Sequence, residues 1–436
     1  MNPACERDDQ IFCGEPRRFT RGRCALVVGG VLLICAPLVG CKLAGNSARS
    51  TRDQSGVVTQ PPVTTTTVAS ETEVISETPT SVEVATTAVE VTTPASTVRP
   101  RVRDEPRTVA TPSVTSTLGG TPKQLAISIL MQASRSQWPQ MRANAMEALI
   151  PDPQRLRGEV VSGLVDENRG VRFVALMSMY EAKLCELVPM AEELLEDPSD
   201  SVRAAAILAL KSCGAAVDPS PLAVMAHSND PEVRANAFMI LGLLGNRSAE
   251  PLIRDSLGAS LGLVNPNLAR IVELQGATAL VRLGDVEEIQ PIRAALFTPS
   301  EQGELVLLAI QSLTELKDQG AKGMLVRLVE APGNQTRPPE IRLAAAAALA
   351  RLGLQEPAPY LRLASEYLTS PDPAVRAQVA VLLGFVPSET GDRILTNLMK
   401  DPNSLVRLAA AGSVVRHASA NPLGTSLEAT AQVDNQ

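Results

Sequence analysis

A short phrase recurs along this chain at a nearly fixed spacing. It reads DPSDSVRAAAILAL over residues 197–210 and returns as DPAVRAQVAVLL over residues 372–383. The Val-Arg pairs at 171–172, 202–203 and 233–234 are 31 residues apart, and so are those at 375–376 and 406–407. A fixed period of this size predicts stacked structural repeats rather than one globular core.

Each copy has the apolar spacing of a helix. In the copy at residues 197–210, apolar residues follow a 3.6-residue period, Asp197-Pro198 is typical of a helix start, and Gly214 of a helix end. A second helical stretch lies within each period. Two weaker copies place Glu273 and Val306 where the others have arginine. We therefore predict nine helix pairs over residues 121–420, without strands.

The pattern DPxxxVRxxAxxALxxLG resembles HEAT repeats. It is most similar to the short HEAT-like repeats of bilin-lyase-type proteins, and the resemblance covers about 300 residues. It implies an all-α, right-handed solenoid of about nine helix pairs. In such a solenoid the second helix of each pair lines the concave face, where a partner binds.

The repeated arginine is predicted to fasten neighbouring repeats. An aspartate stands six residues before the arginine in several copies, and a group present in almost every unit fits the task of stacking. The alternative is a row of anion-binding arginines. The residues of the predicted ladder are Asp166, Arg172, Asp197, Arg203, Arg234, Arg342, Arg376, Asp401 and Arg407.

The first 40 residues are typical of a secretory signal. A cluster of arginines precedes an apolar stretch that ends in LVGC at residues 38–41. This ending resembles the bacterial lipobox, and the resemblance implies that Cys41 is lipidated and becomes the first residue after cleavage. Lys42 favours an outer-membrane location facing the periplasm. An uncleaved anchor, or cleavage at another position, is the alternative.

Residues 41–120 differ in composition from the repeats. Thr, Val, Ser and Pro dominate, and no aromatic residue occurs in residues 45–120. Such a segment cannot bury enough apolar surface to fold, so we predict a disordered linker between lipid and repeats. Residues 421–436 are predicted to form a disordered tail.

The net charge and the cysteine content limit the classes of function that fit this chain. The chain has a net charge of −7, and the excess of acidic residues falls in the repeats, which argues against nucleic-acid binding. Cleavage before Cys41 would leave only two further cysteines. Cys213 falls on an apolar stripe, which favours burial as a small hydrophobe. A disulfide with Cys185 is the alternative in an oxidising compartment.

No catalytic or metal-binding pattern is present. The chain has only two histidines, in distant repeats, and no cluster of ligands at metal-binding spacing. It also lacks a Gly-rich phosphate loop and a nucleophile elbow. We expect no cofactor and no enzymatic activity, with a HEAT-like enzyme as the less favoured alternative.

One apolar row is a candidate partner surface. Phe173, Met177 and Tyr180 follow one another at helical spacing on the side away from the packing stripe. The neighbouring repeats add Trp138, Leu208 and Met239 to the candidate set. Alternatively these residues are core. We expect a non-catalytic, lipid-anchored scaffold that binds a protein or peptide on its concave face. A cell-wall or polysaccharide ligand is the alternative, and the oligomeric state is left open.

Overall fold

The structure, a computed structural model, describes residues 120–262, 264–333, 336–354 and 356–420. The predicted signal peptide, the predicted tail and all but the last residue of the predicted linker lie outside these ranges. Over the described residues the chain is helical, with no strand. It forms eighteen α-helices there, which confirms the prediction of an all-α solenoid of nine helix pairs. The handedness stays a prediction.

The helices of the described residues are α1 Pro122–Ala133, α2 Pro139–Leu149, α3 Pro153–Leu164, α4 Arg169–Ala182, α5 Val188–Glu193, α6 Asp200–Ser212, α7 Pro221–Ala226, α8 Pro231–Leu244, α9 Glu250–Gly258, α10 Pro266–Leu283, α11 Ile289–Ala295, α12 Gly303–Glu315, α13 Lys322–Glu330, α14 Pro339–Arg351, α15 Pro357–Tyr367, α16 Pro373–Leu383, α17 Glu389–Leu398 and α18 Ser404–Ala420.

Most helix starts follow the sequence rules, with one informative shift. Asp230 and Asp372 each accept a hydrogen bond from a backbone N–H of the first turn, and each precedes a proline. Asp197 was predicted to start a helix in the same way, but α6 begins only at Asp200. The carboxylate of Asp197 binds Arg172 and also accepts a hydrogen bond from the backbone N–H of Ser199, so it caps the turn that precedes α6.

The odd-numbered helices form an outer layer and the even-numbered helices an inner one. Each inner helix packs against the inner helices of the neighbouring repeats. Small residues bring the two layers together, because alanine or glycine stands three residues after the repeat-arginine position in eight of the nine copies. At Gly276, for example, an added Cβ would lie 2.8 Å from the side chain of Leu257 on its own outer helix.

The solenoid closes on itself. The last helix, α18, packs against α1 and α2 of the first repeat. The buried apolar side chains, from Ala126 in α1 to Val415 in α18, accordingly form a single cluster. The solenoid with a partner-binding concave face that the resemblance implied is therefore corrected to a closed ring of nine repeats.

The reason for closure lies in the end repeats. A terminal repeat of an open solenoid needs a polar outer face to be soluble. In α18, by contrast, Val406, Val415 and every residue from Leu408 to Ser413 are buried, so the helix is covered on all sides. A helix of this composition is stable only when it is enclosed, and the first repeat encloses it.

Candidate functional site

The repeat arginines lie at the start of the inner helices and join one repeat to the next. Arg142 contacts both carboxylate oxygens of Asp166 at 2.7 Å, and Arg172 contacts those of Asp197 at 2.7 and 3.0 Å. Each arginine also donates to a backbone carbonyl six residues before it, which for Arg172 is that of Asp166. One guanidinium thus holds its own loop and the next repeat together.

The same arrangement returns near the end of the ring. Arg376 contacts both carboxylate oxygens of Asp401 at 2.9 Å and donates to the carbonyl of Ser370. Burial by itself would raise the pKa of Asp401, but hydrogen bonds from Arg376 and from the backbone of Asn403 outweigh it and lower the pKa. The carboxylate therefore stays ionised in its partly buried position.

The other four arginines of the predicted ladder use different partners. Arg203 pairs with Asp200 of its own helix, and Arg342 with Glu366. Arg234 is almost fully buried and donates to backbone carbonyls, including those of Ser228 and Ala259. Arg407 of the last repeat donates to the carbonyls of Asp401 and Pro402. All four bind backbone carbonyls or neighbouring side chains, which agrees with a structural role for the repeat arginine.

The predicted apolar row is not an exposed surface. Phe173 and Met177 are each 3% exposed and Leu208 only 1%, while Tyr180 and Met239 are partly buried. Neighbouring inner helices and the closed ring cover these side chains, so the burial supports the alternative interpretation of these residues as core and not the partner surface. Trp138 is different, since 42% of its surface is exposed.

Among the described residues seven large apolar side chains are exposed, and four of them lie on or next to one edge of the ring. We call the loops from each outer helix to its inner helix the front edge, and the loops from each inner helix to the next repeat the back edge. Val165, Phe297 and Trp138 lie in front-edge loops and are 71%, 45% and 42% exposed. Val224, 78% exposed, belongs to α7 and lines a depression that continues into the following front-edge loop.

Two long segments lie on the same front edge. They are 259–265 between α9 and α10, and 331–338 between α13 and α14, each longer than the corresponding segment of most other repeats. Insertions in repeat proteins often map to the binding face. The front edge therefore combines exposed apolar side chains with two of the longer loops.

The two cysteines that follow the linker form a disulfide. Cys185, just before α5, is bonded to Cys213 at the end of α6, with their Cα atoms 5.4 Å apart. The interpretation of Cys213 as a free, buried hydrophobe is therefore wrong. Cys213 does fall on the apolar stripe of its helix, but Cys185, at the end of the previous inner helix, lies beside it.

Charged residues converge at the back edge in one register. The position nine residues after the repeat-arginine position holds Glu181, Arg282, Glu315, Arg351 and Arg416, with Phe385 between the last two. We call these six residues the back-edge set. Arg282 forms an ion pair with Glu315, which also accepts a hydrogen bond from Gln311.

Residues from opposite parts of the ring affect one another here. Burial, followed by the nearby Glu315, raises the pKa of Glu181 to about 7, with Arg351 acting in the opposite direction. Glu147 of α2 is 2% exposed, and neither carboxylate oxygen has a hydrogen-bond partner in the described part of the chain. Burial, helped by Glu181, raises its pKa well above the usual value. The inward side of the ring thus contains carboxyl groups that favour the protonated form.

Sequence reasoning overlooked the back-edge set, although a signal was present. The nine-residue offset can be counted in every copy, and it places these charged residues at equivalent positions. What could not be read from the sequence is that the ring closes and brings repeats 2, 6 and 7 within electrostatic range.

Comparison with known families matches residues 187–216 to the HEAT repeat. This segment contains α5 and α6, a single helix pair, and supports HEAT-repeat character. HEAT repeats are typical of helical scaffolds for protein interaction. A search among curated proteins found no match. Over the described residues, none of the helices has the length and apolar character needed to cross a membrane.

Proposed function

We propose that this protein is a non-catalytic scaffold of the bacterial envelope, anchored by lipid at Cys41, that binds a protein or peptide partner on its front edge. The observation that carries the proposal is that four exposed apolar residues and two lengthened loops lie on one edge of a ring of HEAT-like repeats. Exposed apolar side chains that cluster on one face often mark interaction sites.

The front edge replaces the concave face of the original hypothesis. In the ring the inward apolar side chains, such as Phe173 and Met177, are already buried by the protein itself. They are not available to a partner. Val165, Val224 and Phe297 remain accessible, and Phe297 additionally stacks with Arg327, whose Cζ atom lies 5.7 Å from the ring centroid.

Two features support an exported location. The LVGC sequence at residues 38–41 resembles a lipobox, and Cys185 pairs with Cys213. Structural disulfides persist in oxidising compartments such as the periplasm and are rare in the cytosol. Both features are consistent with a mature protein that begins at Cys41 and faces the periplasm.

Cross-linking in the native envelope tests the partner surface. We expect a defined protein to co-purify with the wild type, and Val165→Glu to reduce its yield about tenfold, because a charge at an interface core removes binding energy. Val286→Glu is the matched control, because Val286 is equally exposed, at 71%, but lies at the back edge. Equal losses from both variants, or no reproducible partner, would contradict the proposal.

Detergent-phase partitioning tests the anchor separately. Wild-type protein from the membrane fraction should enter the detergent phase, whereas Cys41→Ala should stay in the precursor form without attached lipid. Several acyl chains are needed for stable anchoring, so loss of the cysteine removes the whole anchor. Unchanged processing and partitioning of Cys41→Ala would refute lipidation at this residue without bearing on the front edge.

A further inference from the structure

Two arginines of the back-edge set have no partner of the usual kind. Neither Arg351 nor Arg416 forms an ion pair or a hydrogen bond with any residue that the structure describes. The ladder arginines differ, since each of them donates to a carboxylate or to backbone carbonyls. Arg416 even has a buried Nη1 atom without a hydrogen-bond partner. Leaving a buried charged donor unpaired is costly, so a missing acceptor is indicated.

A single aromatic ring positions both guanidinium groups. The Cζ atoms of Arg416 and Arg351 lie 4.4 and 5.3 Å from the centroid of Phe385. The three residues are equivalent positions of repeats 7, 8 and 9, so the inner helices hold them side by side. Stacking against an aromatic ring orients a guanidinium while leaving its N–H groups available for an oxyanion.

Gly384 provides the space that Arg416 occupies. A Cβ added at this glycine would lie 2.7 Å from Nη1 of Arg416 and 2.5 Å from Oγ of Ser413. The backbone of Gly384 is ordinary right-handed helix, with φ of −63°, so its conformation does not require glycine. The absence of a side chain is what lets the guanidinium lie against the end of α16.

We propose that Arg351, Phe385 and Arg416 form a binding site for a carboxylate group carried by a small molecule or a peptide terminus. Two guanidinium forks present donors in the planar geometry that carboxylates match. The phenyl ring offers an apolar surface to the group that bears the carboxylate. This site lies on the back edge, so it is separate from the front-edge surface of the proposed function.

The surroundings carry negative charge, which opposes a doubly charged anion more than a singly charged one. Glu315 is already neutralised by Arg282, but it still lies close enough to the site to support the charge of Arg351. Glu181 has the same effect on Arg351. The negative ends of α14 and α16 add to this field. A doubly charged phosphate would meet more repulsion than a carboxylate, so we expect carboxylate to bind more tightly.

Titration calorimetry with the full chain tests the site. The probes are an acetylated dipeptide with a C-terminal phenylalanine, its C-terminal amide, sodium acetate and inorganic phosphate. We expect the peptide acid to bind with a dissociation constant on the order of 1 mM or lower and the amide at least tenfold more weakly. Acetate of comparable affinity would assign a small carboxylate, and a marked preference for the peptide acid would assign a peptide terminus.

Variants distinguish a specific binding site from the general attraction of anions to positive charge. Arg351→Gln and Arg416→Gln should each lower the affinity at least tenfold. Arg247→Gln removes a solvent-exposed back-edge arginine that does not stack on Phe385, and should change the affinity less than twofold. Arg351 is exposed, so its variant is expected to fold even if Arg416→Gln does not.

Four results would overturn the proposal. Equal binding of the acid and the amide would show that the carboxylate is not recognised, and no binding of any probe would show that only water meets Nη1 of Arg416. Tighter binding of phosphate than of carboxylate would reassign the site to a different anion. An equal loss in Arg247→Gln and Arg351→Gln would reduce the site to general electrostatic attraction.

Discussion

At the scale of single residues, the repeat arginine works as a bridge between successive repeats. Arg172 shows the arrangement most clearly, with its guanidinium between the carbonyl of Asp166 and the carboxylate of Asp197. The side chains of the Arg172–Asp197 pair are only 13% and 4% exposed. Water therefore screens this pair far less than an ion pair on the surface.

Asp197→Ala should destabilise the protein by about 2–4 kcal/mol, because it leaves a largely buried guanidinium without its counter-ion. Urea unfolding measures the change. Glu389→Ala is the control, since Glu389 pairs with Arg393 at 3.8 Å while their side chains are 90% and 70% exposed. That control should cost less than about 0.5 kcal/mol. Similar small losses in both variants would show that the ladder fixes register without adding stability.

Glu181→Gln should stabilise the protein at pH 8 by up to about 3 kcal/mol and have no effect near pH 4.5. The pKa of Glu181 is raised from 4.5 to about 7 in the fold. The folded chain therefore keeps a proton that the unfolded chain loses, and stability falls as pH rises between these two values. Glu147, Glu315 and Arg351 are the charged groups that act on or with this carboxyl.

Thermal unfolding across pH 4.5 to 8 measures this effect. The wild type should lose stability up to about pH 7, and Glu181→Gln should lose less. The solvent-exposed Glu193→Gln serves as the control and should follow the wild-type curve. Parallel curves for all three proteins would mean that Glu181 is well hydrated in solution.

Residue roles were only partly readable from the sequence. The ladder arginines could be assigned because the arginine recurs at a nearly fixed period and several copies place an aspartate six residues before it. For Phe173 and Met177 the sequence left a partner surface and a core position as alternatives, because their exposure depends on what lies across the ring. A helical wheel gives the direction of a side chain, but not whether another helix covers it.

At the scale of secondary-structure elements, the disulfide joins two neighbouring inner-helix ends. Cys185 and Cys213 are separated by 28 residues and enclose α5 and α6. α5 has only six residues, so it has little stability of its own. Restricting this segment in the unfolded chain should therefore stabilise the repeat that contains it.

Cys213→Ser should lower the free energy of unfolding by about 2–4 kcal/mol under oxidising conditions. Cys185→Ser is the matched variant and should cost about as much, while the double variant should cost no more than either. Urea unfolding with and without reductant measures the effect. Wild-type protein in reductant should resemble the variants, and a wild type that is insensitive to reductant would contradict a disulfide in solution.

The helices themselves were well predicted, and their beginnings less well. The number and order of the helices follow from the spacing of the apolar residues, a pattern that occurs in nine copies. The start of α6 was placed at Asp197, but the hydrogen bond from Ser199 closes a turn before the helix, which begins only at Asp200.

At the scale of the whole repeat region, closure changes how stability is distributed. In an open solenoid each repeat contacts only its sequence neighbours. Here α18 also contacts α1 and α2, so the first and last repeats support one another. The sequence predicted nine repeats but not that they close into a ring. Closure depends on the sum of nine small rotations between successive repeats, and no single repeat shows that sum. The one available signal was the lack of a polar outer face on α18.

Val415→Asp should increase hydrogen exchange in α1 and α2 as well as in α16 and α17. Val415 is fully buried in α18, so the charge disturbs both neighbours of that helix. Val379→Asp is the control, as an equally buried valine of α16 that lies one repeat away from the junction. Its effect should be centred on repeats 7 to 9. Protection of α1 that is unchanged by Val415→Asp would refute the closed ring.

Closure also restricts how this chain can evolve. A linear array tolerates duplication or loss of a unit through unequal recombination, because an additional unit only lengthens it. A circle of nine has no place for a tenth unit and leaves a gap with eight, so changes in copy number should be eliminated while substitutions within a unit accumulate. The irregular copies at Glu273 and Val306, which lack the arginine but keep their place in the ring, are the kind of divergence such a constraint allows.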